Sequence, residues 1–417
     1  MIGTRAIGLT GTAVALALLA SRPLAAASLA ALGPEVRVDG GAASYASCPL
    51  VEGGANGSFE VVWTTIDPIA PRNSHPLTRH FSWQGLPTEP PRELATNNAF
   101  PLSLARLPGG GFRASWIGSS PASSSVWWTS VLGEFGDAVT PWRRLRVLPY
   151  GSVLSLHPSG AYVTVTSQPR QGALLLRFFD AGGHKIGREQ RLNVTGLELS
   201  GLVRFVHPPD GGFLVFWSGA TTRSDGTLET TLFSRLYSSA GEPLSGENLV
   251  ASVSPDPPGV VAFAGSVLPD GRVALAWKTD LYGIQNLYLQ ILSPAGAPVG
   301  PPVIVADGDI EYAGVYLQGI AVNAAGQIAV LWQRETEFCL DSDFQCDHLF
   351  ARLYDSSGAS LGEPVAIDTP AVEPFDKAFC GSLTAAGESF VASWQAADAD
   401  GSFQYVVFAR RLAVTTP

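Results

Sequence analysis

Charge is scarce in this chain of 417 residues: 15% are Asp, Glu, Lys or Arg, and acids outnumber bases by 36 to 26. An acidic balance repels nucleic acid and anionic lipid, which leaves cations, neutral sugars or basic protein surfaces as partners. Histidine (6) and cysteine (4) are also few. None of His75, His80, His157, His184, His207 and His348 stands at a metal-ligand spacing, no Gly-x-Ser-x-Gly elbow occurs, and no His/Cys pattern supports zinc. Glycine-rich stretches such as Gly109-Gly110-Gly111 lie in hairpins and not at helix starts, which removes a phosphate cradle. Beyond the first 27 residues no apolar run is long enough to span a bilayer.

Turn residues are abundant, with 45 glycines and 31 prolines, and they punctuate a repeat. An aromatic or branched residue is followed four positions on by tryptophan at Phe59/Trp63, Phe112/Trp116, Phe213/Trp217, Val273/Trp277, Ile328/Trp332 and Phe390/Trp394, with Tyr162/Thr166 in the third unit. Residues i and i+4 of a strand share a face, so each pair loads one side of a sheet with apolar area. A glycine turn precedes each of these strands, as at Gly57, Gly111, Gly160, Gly211, Gly271, Gly326 and Gly387. Downstream, five units carry arginine at a matching place: Arg79, Arg177, Arg235, Arg352 and Arg410. Self-similarity at roughly 50 to 60 residues, built from strands alone, predicts an all-β fold, a seven-bladed β-propeller of four-stranded antiparallel blades.

Residues 1–27 read as a signal peptide: Arg5, the apolar run Ala6 to Ala20, then Ala25-Ala26-Ala27 as a cleavage site. The run is short and interrupted, which favours cleavage over an anchor, and Cys48 is too far downstream to carry lipid. Loss of Arg5 and Arg22 takes the formal charge from −10 to −12. A linker over 28–34, the propeller over 35–412 and a tail over 413–417 follow. The seventh unit ends without an outer strand, and Glu35 to Val38 resembles the outer strands of other units, so the N-terminus is expected to supply the missing strand and close the ring.

Cys48 and Cys380 occupy equivalent places in the first and last units, which become neighbours only in a closed ring, and export would place them in an oxidising compartment. Of the three pairings that four cysteines allow, Cys48–Cys380 with Cys339–Cys346 is the one expected.

The long connections, between second and third strands and from blade to blade, emerge on one face. Function on a rigid scaffold sits on such loops. This face is acidic with aromatics interleaved, and Asp307, Asp309, Glu311, Tyr312, Phe375 and Asp376 are the expected ligand-binding residues. Asp398 and Asp400 alternate as Ca²⁺ ligands do, although Asp/Gly runs are commonly solvated turns; no other cofactor is implied. The recurrent arginines could line a channel, but their repetition in five blades favours a structural role, each guanidinium paired to a carboxylate or carbonyl. His157 and His207, each before proline, are expected in turns.

The units resemble repeats of secreted and surface-attached bacterial propeller proteins, including parts of large adhesins. The likeness rests on a tryptophan strand, an Asp/Gly loop, then Arg-[Phe/Leu]-[Phe/Tyr]-Asp-x-x-Gly-x-x-x-Gly, clearest at Arg177 to Gly187 and Arg352 to Gly362. It covers nearly the whole mature chain and implies architecture; that group shares no catalytic residues to carry over. The Ser-x-Asp-x-Gly-x-Thr-Trp box of sialidases is absent. The expectation is thus an exported (periplasmic, extracellular or cell-surface) monomer, a non-enzymatic binding module for a glycan, peptide or protein. The alternative is a secreted hydrolase or lyase acting on a polysaccharide-like substrate in the central mouth.

Overall fold

The computed structural model describes residues 27–415 except 42–44, 47, 67–73, 95–98, 121–123, 150–151, 169–171, 194–197, 223–227, 254–259, 282–283, 309–313, 337–345, 369–377 and 398–404. The proposed leader and the Cys339–Cys346 pair lie outside these residues, although Cys346 itself opens a strand. Seven antiparallel sheets form a ring of blades. Six have four strands; the first has a fifth, Tyr45–Ala46, paired to Thr65 and Ile66. First strands lie innermost, and the seventh blade's first strand touches that of the first blade.

The tryptophan pattern explains the packing. Trp63, Trp116, Trp217, Trp277, Trp332 and Trp394 are all buried, as are their partners four residues earlier. Four stack on an aromatic directly opposite in the third strand: Trp217 on Phe233 (5.7 Å), Trp277 on Tyr288 (4.3 Å), Trp332 on Phe350 (6.1 Å) and Trp394 on Phe408 (6.1 Å). Burying one such side chain contributes about 4 kcal/mol by area. The indole N–H groups of Trp63, Trp116, Trp217 and Trp277 have no partner among the described residues. An unpaired buried donor costs about 1–3 kcal/mol, so packing outweighs the lost hydrogen bonds.

The recurrent arginines are structural clamps. Nε of Arg79, Arg235 and Arg352 donates to the carbonyl ten residues on, Glu89 (2.8 Å), Ser245 (3.2 Å) and Gly362 (2.7 Å), which ties third strand to fourth. Arg79 and Arg410 also reach across blades, Nη1 donating to the carbonyls of Val38 (2.8 Å) and Ile367 (2.9 Å). Arg177 pairs instead with Glu189 at 2.7 Å.

Ser28–Arg37 runs antiparallel beside Tyr405–Thr415 as the outer strand of the seventh blade, Ser28 opposite Thr415 and Arg37 opposite Phe408. The segment expected as a linker over 28–34, and Ala413 to Thr415 of the expected tail, are therefore paired strand. A bulge between Leu32 and Val36, with Gly33 at φ 82°, absorbs a register shift and lets pairing continue past Glu35. Cys48 and Cys380 are bonded, with Cα atoms 4.9 Å apart, and clip the first blade to the seventh. The loop they close spans 332 residues. Replacing both by serine is expected to lower unfolding free energy by roughly 4 kcal/mol; urea melts of oxidised wild type and the double variant with the same midpoint would show that pairing and packing alone hold the ring.

Candidate active site

The residue after each tryptophan points to the other face of its strand. In five blades that residue is polar and buried: Thr64, Ser218, Lys278, Gln333 and Gln395. At this height the first strands of the second, fourth, fifth, sixth and seventh blades shift register, between Pro101/Ser103, Leu199/Val203, Val260/Ala262, Leu317/Gly319 and Phe379/Ser382. Bulges of this kind re-aim side chains. The sixth blade shows the result. Gln318, the extra residue of its bulge, accepts the Gly381 N–H of the next blade at 2.7 Å and donates to Gln333 Oε1 at 3.0 Å.

Just above, toward the long-loop face, three charged or phenolic groups converge. The Tyr316 hydroxyl donates to Glu335 Oε1 at 2.9 Å, and Lys278 Nζ lies 4.1 Å from the centroid of the Tyr316 ring. Tyr316 comes from the innermost strand of the sixth blade, Glu335 from the strand beside it, and Lys278 from the second strand of the fifth blade. Lys278 is 4% exposed, and a buried ammonium needs compensation, part of which the ring face supplies. Tyr316 is 37% exposed, so a ligand entering from the loop face meets the phenol first.

The channel holds a second unusual carboxylate near its opposite end. Glu52, on the innermost strand of the first blade, is half-buried, and burial pushes its pKa up to about 7 against the opposing pull of the Arg106 N–H, the Arg106 charge and the Thr384 hydroxyl. It bridges both neighbouring blades. Arg204 lines the fourth blade, its Nη1 on the Val203 carbonyl at 3.0 Å, and burial lowers its pKa.

Two other pairs are structural. Ser155 Oγ lies 2.9 Å from His207 Nε2, but burial, with the nearby His157, pushes His207 down to about 3, too weak a base to take a serine proton at neutral pH. Glu60, bonded to Thr78 and to His80 Nδ1 (3.1 Å), is buried between blades without access to the channel. His157 has its expected turn role, Nδ1 accepting the Ser159 N–H at 3.0 Å.

Of the ligand residues expected from sequence, Asp307 ends the outermost strand of the fifth blade, exposed and opposite Asn286. Asp309, Glu311, Tyr312, Phe375 and Asp376, and the candidate calcium ligands Asp398 and Asp400, lie outside the described residues. Among the described residues no group of three or more His, Cys, Asp or Glu could hold a metal. Sequence reasoning missed Lys278, Tyr316, Glu335, Gln318, Arg204 and Glu52. One signal was available, the polar residue recurring after tryptophan, at which lysine stands out.

No protein-family model and no curated protein sequence matches the chain. Solved structures do. A protein of unknown function from Dyadobacter fermentans superposes with TM-score 0.52 at 11% identity, over 93% of this chain and 99% of that one. A puromycin hydrolase gives 0.50 at 17%, over 86% of this chain and 51% of its own length. The alpha-L-arabinofuranosidase of Fusarium graminearum gives 0.46 at 10%, over 90% and 96%. At such identities these likenesses show a shared fold. They do not favour the expected non-enzymatic binding module, since the puromycin hydrolase that shares the fold is named as an enzyme; the enzymatic alternative is the reading carried forward as a proposal.

Glu52 generates a pH prediction. Its folded pKa of about 7 stands above the unfolded value of 4.5, so the folded state holds a proton more tightly, and its contribution is complete below about 4.5 and lost as pH rises through 7. The loss is at most about 3 kcal/mol, since the channel leaves the carboxyl partly accessible. Melting temperatures between pH 4 and 8 should fall more steeply for wild type than for Glu52→Gln; parallel profiles would refute the shift.

Proposed function

We propose that the chain is an exported hydrolase or lyase that acts on a polysaccharide-like substrate at the central mouth of the ring. The observation that carries this reading is the Tyr316 phenol held between the Glu335 carboxylate at 2.9 Å and the Lys278 ammonium at 4.1 Å. Cleaving a glycosidic link needs a group that attacks or deprotonates a sugar carbon and a proton for the departing oxygen. With its proton passed to Glu335, Tyr316 is the nucleophile or base; with the proton retained, it is the donor. Lys278 offsets negative charge that develops on the ring, in a desolvated setting where such a charge acts strongly. Gln318 and Gln333 supply amides close by.

The same proposal takes the long-loop residues Asp307, Asp309, Glu311, Tyr312, Phe375 and Asp376 as substrate contacts and Asp398 and Asp400 as calcium ligands. Export, to periplasm, medium or cell surface, fits the leader-like first 27 residues, the Cys48–Cys380 bond and the likeness of the repeats to surface-attached propellers. Among the described residues no helix is long and apolar enough to cross a membrane.

The test is a panel of neutral and uronate polysaccharides assayed both for new reducing ends and for the ultraviolet absorbance of an unsaturated product, which separates hydrolysis from elimination. Tyr316→Phe should lower kcat by about 10²–10⁴ with KM nearly unchanged, and Glu335→Gln should lower it less. Full activity in Tyr316→Phe removes the assignment of the phenol, and an inactive wild type across the panel removes the function.

A further inference from the structure

On the opposite face, where the short turns lie, the seventh blade differs from the other six. Each of those six joins its third and fourth strands by a five-residue turn closed by a backbone hydrogen bond: Ser82 to Leu86, Gly133 to Asp137, Asp180 to His184, Ser238 to Glu242, Ser293 to Ala297 and Asp355 to Ala359. The seventh has no such turn, because its third strand comes from the C-terminal end of the chain and its fourth from the N-terminal part. Its first hairpin is also tight, with Ala386 directly opposite Ser389. The shortfall leaves a cavity of about 620 Å³ over blades six, seven and one. That volume lies within the range of ligand pockets.

Two residues in this cavity break the repeat. Arg411 faces Val391 across the ladder, the place occupied in blades two to six by Val131, Phe178, Leu236, Ile291 and Leu353. A position that is apolar in five of the other six blades, and His80 in the first, thus carries a guanidinium in the one blade without a covering turn. Its Nη2 donates to Ser389 Oγ at 2.5 Å, while Nε is buried with no partner among the described residues. Trp83 is the second. It sits in the first blade's turn where the others have Glu134, Ala181, Ser239, Pro294 and Ser356, and it is 61% exposed at the cavity wall. A turn has no structural need for tryptophan there.

We propose that this cavity is a second saccharide site, separate from the mouth, which takes a sugar unit bearing a carboxylate. Trp83 offers a flat apolar face to the sugar ring. Arg411 offers planar N–H donors suited to a carboxylate. Asn56, Gln327 and Glu388 line the remainder and provide donors and acceptors for hydroxyls. Glu388 also lines the cavity, so the ligand carboxylate is placed against Arg411 and the hydroxyls toward Glu388; acidic charges beyond about 8 Å are screened at working salt. The site does not rest on the reading of Tyr316, and a chain without catalytic activity would still have it.

Isothermal titration of the mature protein with trigalacturonate, and with the same trisaccharide after reduction of its carboxylates to alcohols, provides the test. Trigalacturonate should bind, the reduced form at least tenfold more weakly. Trp83→Ala, a change at an exposed position, should weaken binding at least tenfold with no change in melting temperature. Arg411→Lys, which keeps the charge and loses the planar fork, should weaken the acidic ligand selectively. Loss of binding in Trp83→Ala and Arg411→Lys, both at the short-turn end, separates the site from the mouth. No binding by wild type, equal affinity for the two trisaccharides, or undiminished binding in Trp83→Ala overturns the proposal.

Discussion

A blade of this protein has two apolar faces and no means of covering either by itself. Trp217 and Phe213 point from one side of their sheet, Leu214 and Phe216 from the other, and all four are buried. Every blade therefore depends on two neighbours, and a linear stack would leave a hydrophobic face exposed at each end. Closure of the ring is the one arrangement that spares both ends. Pairing of Ser28–Arg37 with Tyr405–Thr415 accomplishes it, and the core between blades seven and one, with Val51, Val61, Val391 and Val407 in contact, is formed only because the ends meet. The arginine clamps and the disulfide reinforce that geometry; they do not create it.

Closure also has a local consequence. A blade assembled from both ends of a chain lacks one connection by construction, and the missing turn exposes what the other six blades cover. The substitution of Arg411 for an apolar residue falls at that place, and Gly57 and Gly85 of the first blade approach its side chain, where added Cβ atoms would lie 3.3 Å and 3.8 Å from it. The polar cluster at the opposite mouth owes its assembly to another irregularity. Bulges in the innermost strands, beside the tryptophan layer, turn polar side chains toward one another across blade junctions. Both proposed sites lie where the repeat is broken.

That distinction explains what the sequence could disclose. The tryptophan and glycine spacing, the arginines and the Cys48–Cys380 match are local or periodic features, legible because seven copies average out accident. The convergence of Lys278, Tyr316 and Glu335 is neither. It joins three strands and two blades, and it depends on a one-residue bulge at Gln318 that no pattern announces. Glu52 is likewise an ordinary acid in the sequence, made unusual by the walls of a channel that exists only after closure. Arg411 was visible as a second arginine beside Arg410, but its meaning required knowing that its blade lacks a turn. The acidic loop residues were conspicuous by composition, which describes a surface and not a site.

The two unusual acids of the channel cannot work as a pair. Glu52 is the penultimate residue of its strand at the short-turn end, while Tyr316 and Glu335 stand at the long-loop end, five or six residues farther along. At about 3.3 Å per residue the separation along the axis is roughly 17–20 Å. Paired carboxylates in glycoside hydrolysis lie about 5–9.5 Å apart, so Glu52 is too distant to serve as the partner of Glu335. Its near-neutral pKa is then a property of the channel wall, where Thr384 of the seventh blade forms the same kind of bridge through its hydroxyl to the Gly53 N–H. What remains at the mouth is one phenol with a carboxylate to exchange its proton and a cation to balance its charge. In the proposed reaction the Tyr316 phenol is the reacting group and Glu335 its proton partner.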